Sequence, residues 1–266
     1  MEVARWLAKY TNRNTEFHLH CLGDIHAGTK HCAEEKIKAK VKEIEKDPFA
    51  FWIGMGDYGE FITGNDPRWD IAVISDWVRP DDIAESQREW IVNLFRPIAR
   101  KGIGLLEGNH EDAMRTHFKG DVQSHLCKDL GLPNLGYSCF VRLCFNRTKT
   151  DAQQFKCHFQ HGSGSAITEG GKIQRLYRGL TAFDAHIYGM GHVHDVTSRN
   201  FPYLGLADND EIKDLTRAAA ITGCWVRTYS QGIRANYAEK KGYSPSRLGS
   251  PVFNIRPFYR EITVEG

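Results

Sequence analysis

Apolar and polar positions along the chain follow two periods in turn. Residues 15–22 interleave His and Glu with Phe, Leu and Cys, a pattern that predicts a strand ending at Gly23. Over 34–46, Ile37, Val41 and Ile44 recur at helical spacing among charged residues, and Pro48 closes the helix. Residues 49–55 are almost unbroken apolar, as a strand covered on both faces requires, so the three segments predict a βαβ unit. The stretch 59–80 reads as loop, with Gly64-Asn65-Asp66-Pro67 as a turn cluster and Phe61, Trp69 and Trp77 as covering aromatics. A helix is predicted over 81–100, turning Ile83, Trp90, Ile91, Leu94, Phe95 and Ile98 inward and kinked or ended at Pro97. A strand over 103–106 and short helices over 111–118 and 122–130 follow.

After Pro133 the pattern changes. Residues 137–145 and 154–160 alternate around a polar turn, which predicts a hairpin and hence antiparallel character in the second half. A basic helix (171–180), strands over 185–190, 196–203 and 218–225, a helix over 232–241 and one or two strands over 252–264 complete the chain. The alternation of strands and helices predicts an α/β protein. No repeat, low-complexity tract or linker divides it, so residues 1–266 are expected to form a single domain.

Composition narrows the partners. The net charge of +2 compels no polyanionic partner, and no apolar run is long enough for a membrane span. Residues 1–14 lack the apolar stretch of a signal peptide. The seven cysteines are odd in number, scattered and without a Cys-x-x-Cys pair. They read as buried thiols in a reducing compartment, so a cytoplasmic protein is expected.

The chemistry concentrates at strand ends. Gly23-Asp24-Ile25-His26, Gly56-Asp57, Gly108-Asn109-His110-Glu111, His161-Gly162 and Gly191-His192-Val193-His194 each follow an apolar segment with Gly and a polar ligand type. Residues two apart at a strand end, such as Asp24 and His26, project to one side. Carboxylates and imidazoles held there present N/O ligands to a divalent transition metal. A single Asp-x-His pair is weak evidence; the ordered set of five is specific.

These motifs, in this order, resemble those of the calcineurin-like metallophosphoesterase superfamily, and they cover residues 24–194. The resemblance implies a four-layer α/β/β/α sandwich of two mixed sheets flanked by helices, with residues 195–266 completing the second sheet and the substrate face. It implies two divalent metal ions: Asp24, His26 and His194 at the first, Asn109, His161 and His192 at the second, and Asp57 bridging. Manganese leads the expectation, with Fe, Ni, Co or Zn compatible with the same donors. Hydrolysis would then proceed by attack of a metal-bridging hydroxide, with His110 as general acid. A carboxylate should steer His110. In the superfamily's serine/threonine phosphatases it lies three residues after the bridging aspartate, where this chain has Glu60. Glu111 competes for that role, and reads equally as a helix N-terminal carboxylate.

One departure bears on substrate. Where those phosphatases carry a phosphate-clamping arginine, this chain has Phe61. The leading expectation is therefore a phosphodiesterase or nuclease acting on nucleotides or nucleic acid. A phosphomonoesterase, including a protein phosphatase, is the runner-up. A non-catalytic metal-bearing interaction scaffold should have lost a ligand or His110, and none is missing. Lys172, Arg175 and Arg178 share a helical row after His161, with Arg175 and Arg178 as candidate substrate contacts, and Ser163 and Ser165 could bond phosphate oxygens. From Arg227 to Arg260, seven cations face only Glu239, with tyrosines and phenylalanines interleaved, as a DNA or RNA partner would require. Residues 222–243 also have the look of phage-associated members of the superfamily.

Overall fold

A computed structural model of the protein describes residues 1–62, 70–118, 120–164, 166–206 and 210–266. The turn cluster at 64–67, Trp69 and Ser165 lie outside the described residues. In chain order the elements are β1 (Glu2–Lys9), β2 (Phe17–Leu22), α1 (Glu34–Lys46), β3 (Ala50–Gly54), α2 (Ile83–Phe95), β4 (Gly102–Leu105), α3 (Asn109–Phe118) and α4 (Val122–Leu130). The second half holds β5 (Ser138–Asn146), β6 (Ala152–Gln160), α5 (Glu169–Ala182), β7 (Ile187–Met190), β8 (Val196–Leu206), β9 (Ile212–Thr222), α6 (Tyr237–Lys240), β10 (Val252–Arg256) and β11 (Glu261–Glu265).

The strands form two mixed sheets, one of six strands in the order β1-β5-β6-β7-β9-β8 and one of five in the order β11-β10-β2-β3-β4. Leu19, Phe51, Ile53 and Ile255 from the smaller sheet pack against Val141, Phe145, Phe159 and Ile187 from the larger, forming the central core. On the outer face of the smaller sheet, Ile37, Val41 and Ile44 of α1, Ile91 and Phe95 of α2 and Leu126 of α4 cover Trp52. On the outer face of the larger sheet, Leu176 and Leu180 of α5 cover Tyr188, Ala219 and Ile221. The protein is thus an α/β/β/α sandwich, with the buried, continuously apolar β3 as an interior strand of the smaller sheet, flanked by β2 and β4, as its composition requires.

Several local readings differ from the structure. The N-terminal residues, given no element by their mixed pattern, form β1, an edge strand running parallel to β5 with its alternate residues exposed. Its partner lies more than a hundred residues away, so nothing local announces it. The helix over 81–100 is two pieces: α2 stops at Phe95, and Pro97 opens a 3₁₀ segment over Arg96–Lys101. Helix α3 begins at Asn109, so Asn109 and His110 occupy its first turn instead of a strand end. The helix expected over 232–241 contracts to the four residues of α6. Residues after His194 supply strands to both sheets, β8 and β9 to one and β10 and β11 to the other.

The arrangement places the site. Strands β2, β3 and β4 run parallel, as do β6, β7 and β9, so the turns that leave Leu22, Gly54, Leu105, Gln160, Met190 and Thr222 belong to parallel strand ends. Five of these turns carry the sequence motifs. Among the described residues no helix is long and apolar enough to cross a membrane.

Candidate metal centre

The five motifs converge. Ligand-type atoms of Asp24, His26, Asp57 and His194 lie within 4.8 Å of one another, and so do those of Asp57, His161 and His192. Asp57 belongs to both groups. In the first, His194 Nε2 is 3.2 Å from Asp24 Oδ1 and 3.1 Å from His26 Nε2. In the second, His161 Nε2 is 3.2 Å from Asp57 Oδ2 and 3.1 Å from Asn109 Oδ1, and His192 Nδ1 is 2.9 Å from the same Asn109 oxygen.

The backbone is bent to achieve this. Asp24, His26, Asp57, His192 and His194 all have φ between 48° and 69°, a left-handed conformation that costs residues with a Cβ of order 1 kcal/mol or more. Outside glycine, only Phe61, Asp210 and Arg260 share it among the described residues. Short polar side chains tolerate this region best, so Asp and His at a chain reversal are the affordable choice. Glycine beside them is a matter of space. A Cβ on Gly108 would stand 2.2 Å from the amide nitrogen and Oδ1 of Asp57, and one on Gly191 would stand 2.8 Å from Asp24 Oδ2.

The outer nitrogens of the His161 and His26 rings are held by acceptors. His161 Nδ1 donates to the Met55 carbonyl at 2.8 Å, which leaves Nε2 of the neutral ring as a lone pair facing the Asp57 and Asn109 oxygens. His26 Nδ1 donates to Glu60 Oε2 at 2.8 Å, so its Nε2 also points inward unprotonated. Lone pairs that converge in this way repel one another unless a cation stands among them. A proton serves at His161: burial works to lower its pKa, but the Asp57 carboxylate and then Asp24 outweigh that and push it up to about 10. Burial likewise opposes ionisation of Asp57, yet His161 and His110 hold its carboxyl well below the usual range. The donors are nitrogen and oxygen, and acceptors fix the tautomers of His26 and His161 so that each neutral ring turns a bare nitrogen inward, as for divalent-metal ligands. The residues fit a metal site.

The two carboxylates weighed as partners of His110 have other contacts. Glu111 is 1% exposed, and its side chain accepts from the backbone amides of Asp57 (2.9 Å), Tyr58 (2.8 Å) and Gly108 (2.9 Å). From the first turn of α3 it ties the turn after β3 to the turn after β4. Burial, reinforced by the Asp57 charge, pushes its carboxyl up to about 7, against the pull of the amides. Glu60 directs its carboxylate to His26, while its carbonyl oxygen accepts from His110 Nδ1 at 2.5 Å. Glu60 therefore reaches His110 through its main chain, and its carboxylate lies within 4.8 Å of a His110 ring nitrogen as well. The His110 amide donates to Asp57 Oδ1 at 2.9 Å, and its ring stands edge-on to His26 with centroids 4.6 Å apart.

Phe61 is buried, its φ is 48°, and its amide donates to Gln87 Oε1 at 2.7 Å. On α5, Lys172 pairs with Asp195, the residue after His194, and Arg175 Nη1 donates to the Ser163 carbonyl at 2.5 Å beside the His161 turn. Arg178 is exposed. The row thus divides between two site-bordering loops and solvent.

Supports invisible in the motifs come from the C-terminal part. The Trp225 amide donates to the Asp24 carbonyl at 2.9 Å, and Cys224 Sγ lies 3.4 Å from the His194 carbonyl as its donor. The only available sequence signal was the Thr222-Gly223 end of an apolar strand, a sixth example of the strand-then-glycine pattern without a ligand behind it. Compared with known proteins, the chain matches no family model and no curated protein.

Proposed function

We propose that the chain is a dinuclear-metal-dependent phosphoester hydrolase that favours phosphodiesters. The observation that carries this reading is Asp57, whose Oδ2 faces both donor groups while its Oδ1 accepts the His110 amide. One carboxylate thereby couples two metal-ligand clusters to an imidazole that is not a member of either cluster of Asp57. Asp24, His26 and His194 would hold one ion, Asn109, His161 and His192 the other, and Asp57 both. When bound, two such ions supply a nucleophile near neutral pH and neutralise charge on the phosphoryl oxygens.

The chain's own groups do the rest. His110 Nδ1 is engaged by the Glu60 carbonyl, so the proton available for a leaving oxygen is one carried by Nε2 of the imidazolium. Glu60 fixes the His26 tautomer, and the Met55 carbonyl fixes that of His161. The diester preference rests on Phe61. At the sequence position where the superfamily's phosphatases carry a phosphate-clamping guanidinium, this chain has a buried aromatic ring, which offers no grip for the extra charge of a monoester dianion.

The test is hydrolysis by chelator-treated protein before and after adding Mn²⁺, on bis-p-nitrophenyl phosphate and p-nitrophenyl phosphate. Activity should vanish on metal removal, return with Mn²⁺ and favour the diester. Full activity in verified metal-free protein would overturn metal dependence, and a strong monoester preference would overturn the substrate class.

A further inference from the structure

The basic, aromatic stretch from Arg227 to Arg260 is not one surface. Phe253 is fully buried in the core, and β10 runs antiparallel to β2 with Ile255 opposite Phe17. Arg256, Phe258 and Tyr259 therefore lie by the start of β2, whereas Asp24 follows its end. Arg256 is occupied there by Glu261 and the Tyr259 ring, and Phe258 lies under Arg13 and Arg147.

Residues 225–249 are placed differently. This connection leaves β9 at the site and returns to it: the Trp225 amide is on the Asp24 carbonyl, and the Gly249 amide donates to the Cys224 carbonyl at 2.9 Å. Arg227 follows Trp225 by two residues, at most about 7 Å of chain. The buried His31, five residues after His26, braces the middle of the loop through Ser230 Oγ at 3.0 Å and the Arg234 carbonyl at 3.1 Å.

Its composition is one-sided. Arg227, Arg234, Lys240, Lys241 and Arg247 face a single acid, Glu239. Arg234 pairs with Asp70, but Lys240, Lys241 and Arg247 are exposed and form no ion pair among the described residues. Tyr229, Tyr237 and Tyr243 are 45%, 56% and 40% exposed and adjoin one another: Tyr229 Oη donates to the Tyr243 carbonyl, the Tyr237 and Tyr243 rings meet edge-on, and Lys241 lies over Tyr237. Uncompensated cations beside exposed aromatic faces match phosphates beside unpaired bases. Stacked bases of a duplex offer no free face to such rings.

We propose that residues 225–249 form a rim that binds single-stranded nucleic acid and presents its backbone to the site. As a statement about substrate, this rests on the phosphoester-hydrolase reading; as a statement about binding, it can be tested without turnover. Fluorescence anisotropy with labelled oligo(dT) and oligo(rU), in chelator and over a salt series, measures binding alone. Both strands should bind if the rim reads phosphate and base faces, and a preference for one would identify the sugar. The triple variant Lys240→Ala, Lys241→Ala, Arg247→Ala should bind more weakly and lower the slope of log K against log salt by about 2, roughly 0.7 for each lost phosphate contact. Tyr237→Ala should weaken binding ~5- to 100-fold, and Tyr237→Phe should restore it. Unchanged binding in the triple variant, tighter binding of a duplex of equal length, or equal competition by polyglutamate would each overturn the inference, the last in favour of an acidic polypeptide partner. The triple variant should keep the parent's urea-denaturation midpoint, because all three side chains are exposed; a lowered midpoint accompanying the weaker binding would make the loop structural and overturn the inference. If the parent hydrolyses no phosphoester with any metal but binds the oligonucleotides through these residues, the hydrolase reading fails while the rim stands.

Discussion

At the scale of single residues, the first turn of α3 divides its work among neighbours. Asn109 faces His161 and His192, His110 is set by the Asp57 carboxylate and the Glu60 carbonyl, and Glu111 turns away to three backbone amides. Substitutions should separate these roles. His110→Asn should lower kcat by about 10²- to 10⁴-fold, the usual worth of a general acid, while metal content per chain stays at the parent's value. Loss of metal in that variant would make His110 structural. Glu111→Gln places an amide nitrogen against N–H donors at a buried position, so it should destabilise the fold by about 1–3 kcal/mol in urea denaturation and weaken metal retention. An unaltered midpoint together with lost activity would return Glu111 to direct chemistry. The place of His110 beside the donor groups was legible from its motif, because it directly follows a ligand-type residue at the end of a strand-and-glycine segment. The contacts of Glu60 and Glu111 were not, because a carboxylate's partner depends on which amides and rings the folded turns bring to it.

At the scale of elements, the site is a set of turns leaving parallel strands, and its tolerances are steric. Gly108→Ala would drive a methyl into the Asp57 backbone, a contact at 2.2 Å that no rotamer can relieve. We expect it to cost about 1–3 kcal/mol and to abolish activity by displacing Asp57. Gly170→Ala on α5, where a Cβ would meet nothing, should be neutral or slightly stabilising. Comparable melting temperatures for the two variants would refute the steric account. Helices α1 and α4 match their sequence readings at both ends, since their apolar stripes are local and complete. The 225–249 loop did not: its apparent helical pattern yields only α6, because its contacts are made with His31, Asp70 and Cys224.

At the scale of the whole molecule, two buried histidines outside the site should govern acid stability. His158 on β6 is fully buried, stacked on the Phe183 ring at 3.6 Å with the Tyr188 ring to its side at 5.8 Å, and neither nitrogen is hydrogen-bonded among the described residues. Burial lowers its pKa to about 4, and burial followed by Lys40 lowers that of His20 to about 3. The unfolded chain binds these protons from about pH 6.5 downward and the folded chain does not. Their burial therefore carries no protonation penalty above pH 6.5, and stability falls as pH drops from there through the folded values. His158→Phe should flatten the slope of unfolding free energy between pH 6.5 and 4 by up to ~1.4 kcal/mol per pH unit. An unchanged slope would show that His158 gains its proton in the folded state.

By itself the sequence determined the α/β class, most of the helices and strands, and the residue types at the strand-ending turns, because period, capping and turn chemistry act over a few residues. The tertiary structure decided what no local period encodes. It joined β1 to β5 and distributed β8 to β11 between two sheets, since long-range pairing is settled by which faces can be buried together. It also brought Asp24, Asp57, Asn109, His161, His192 and His194 within contact, paying for the left-handed turns with the burial of both sheets. Convergence of like lone pairs is unfavourable for any short segment, and only a packed core can hold it.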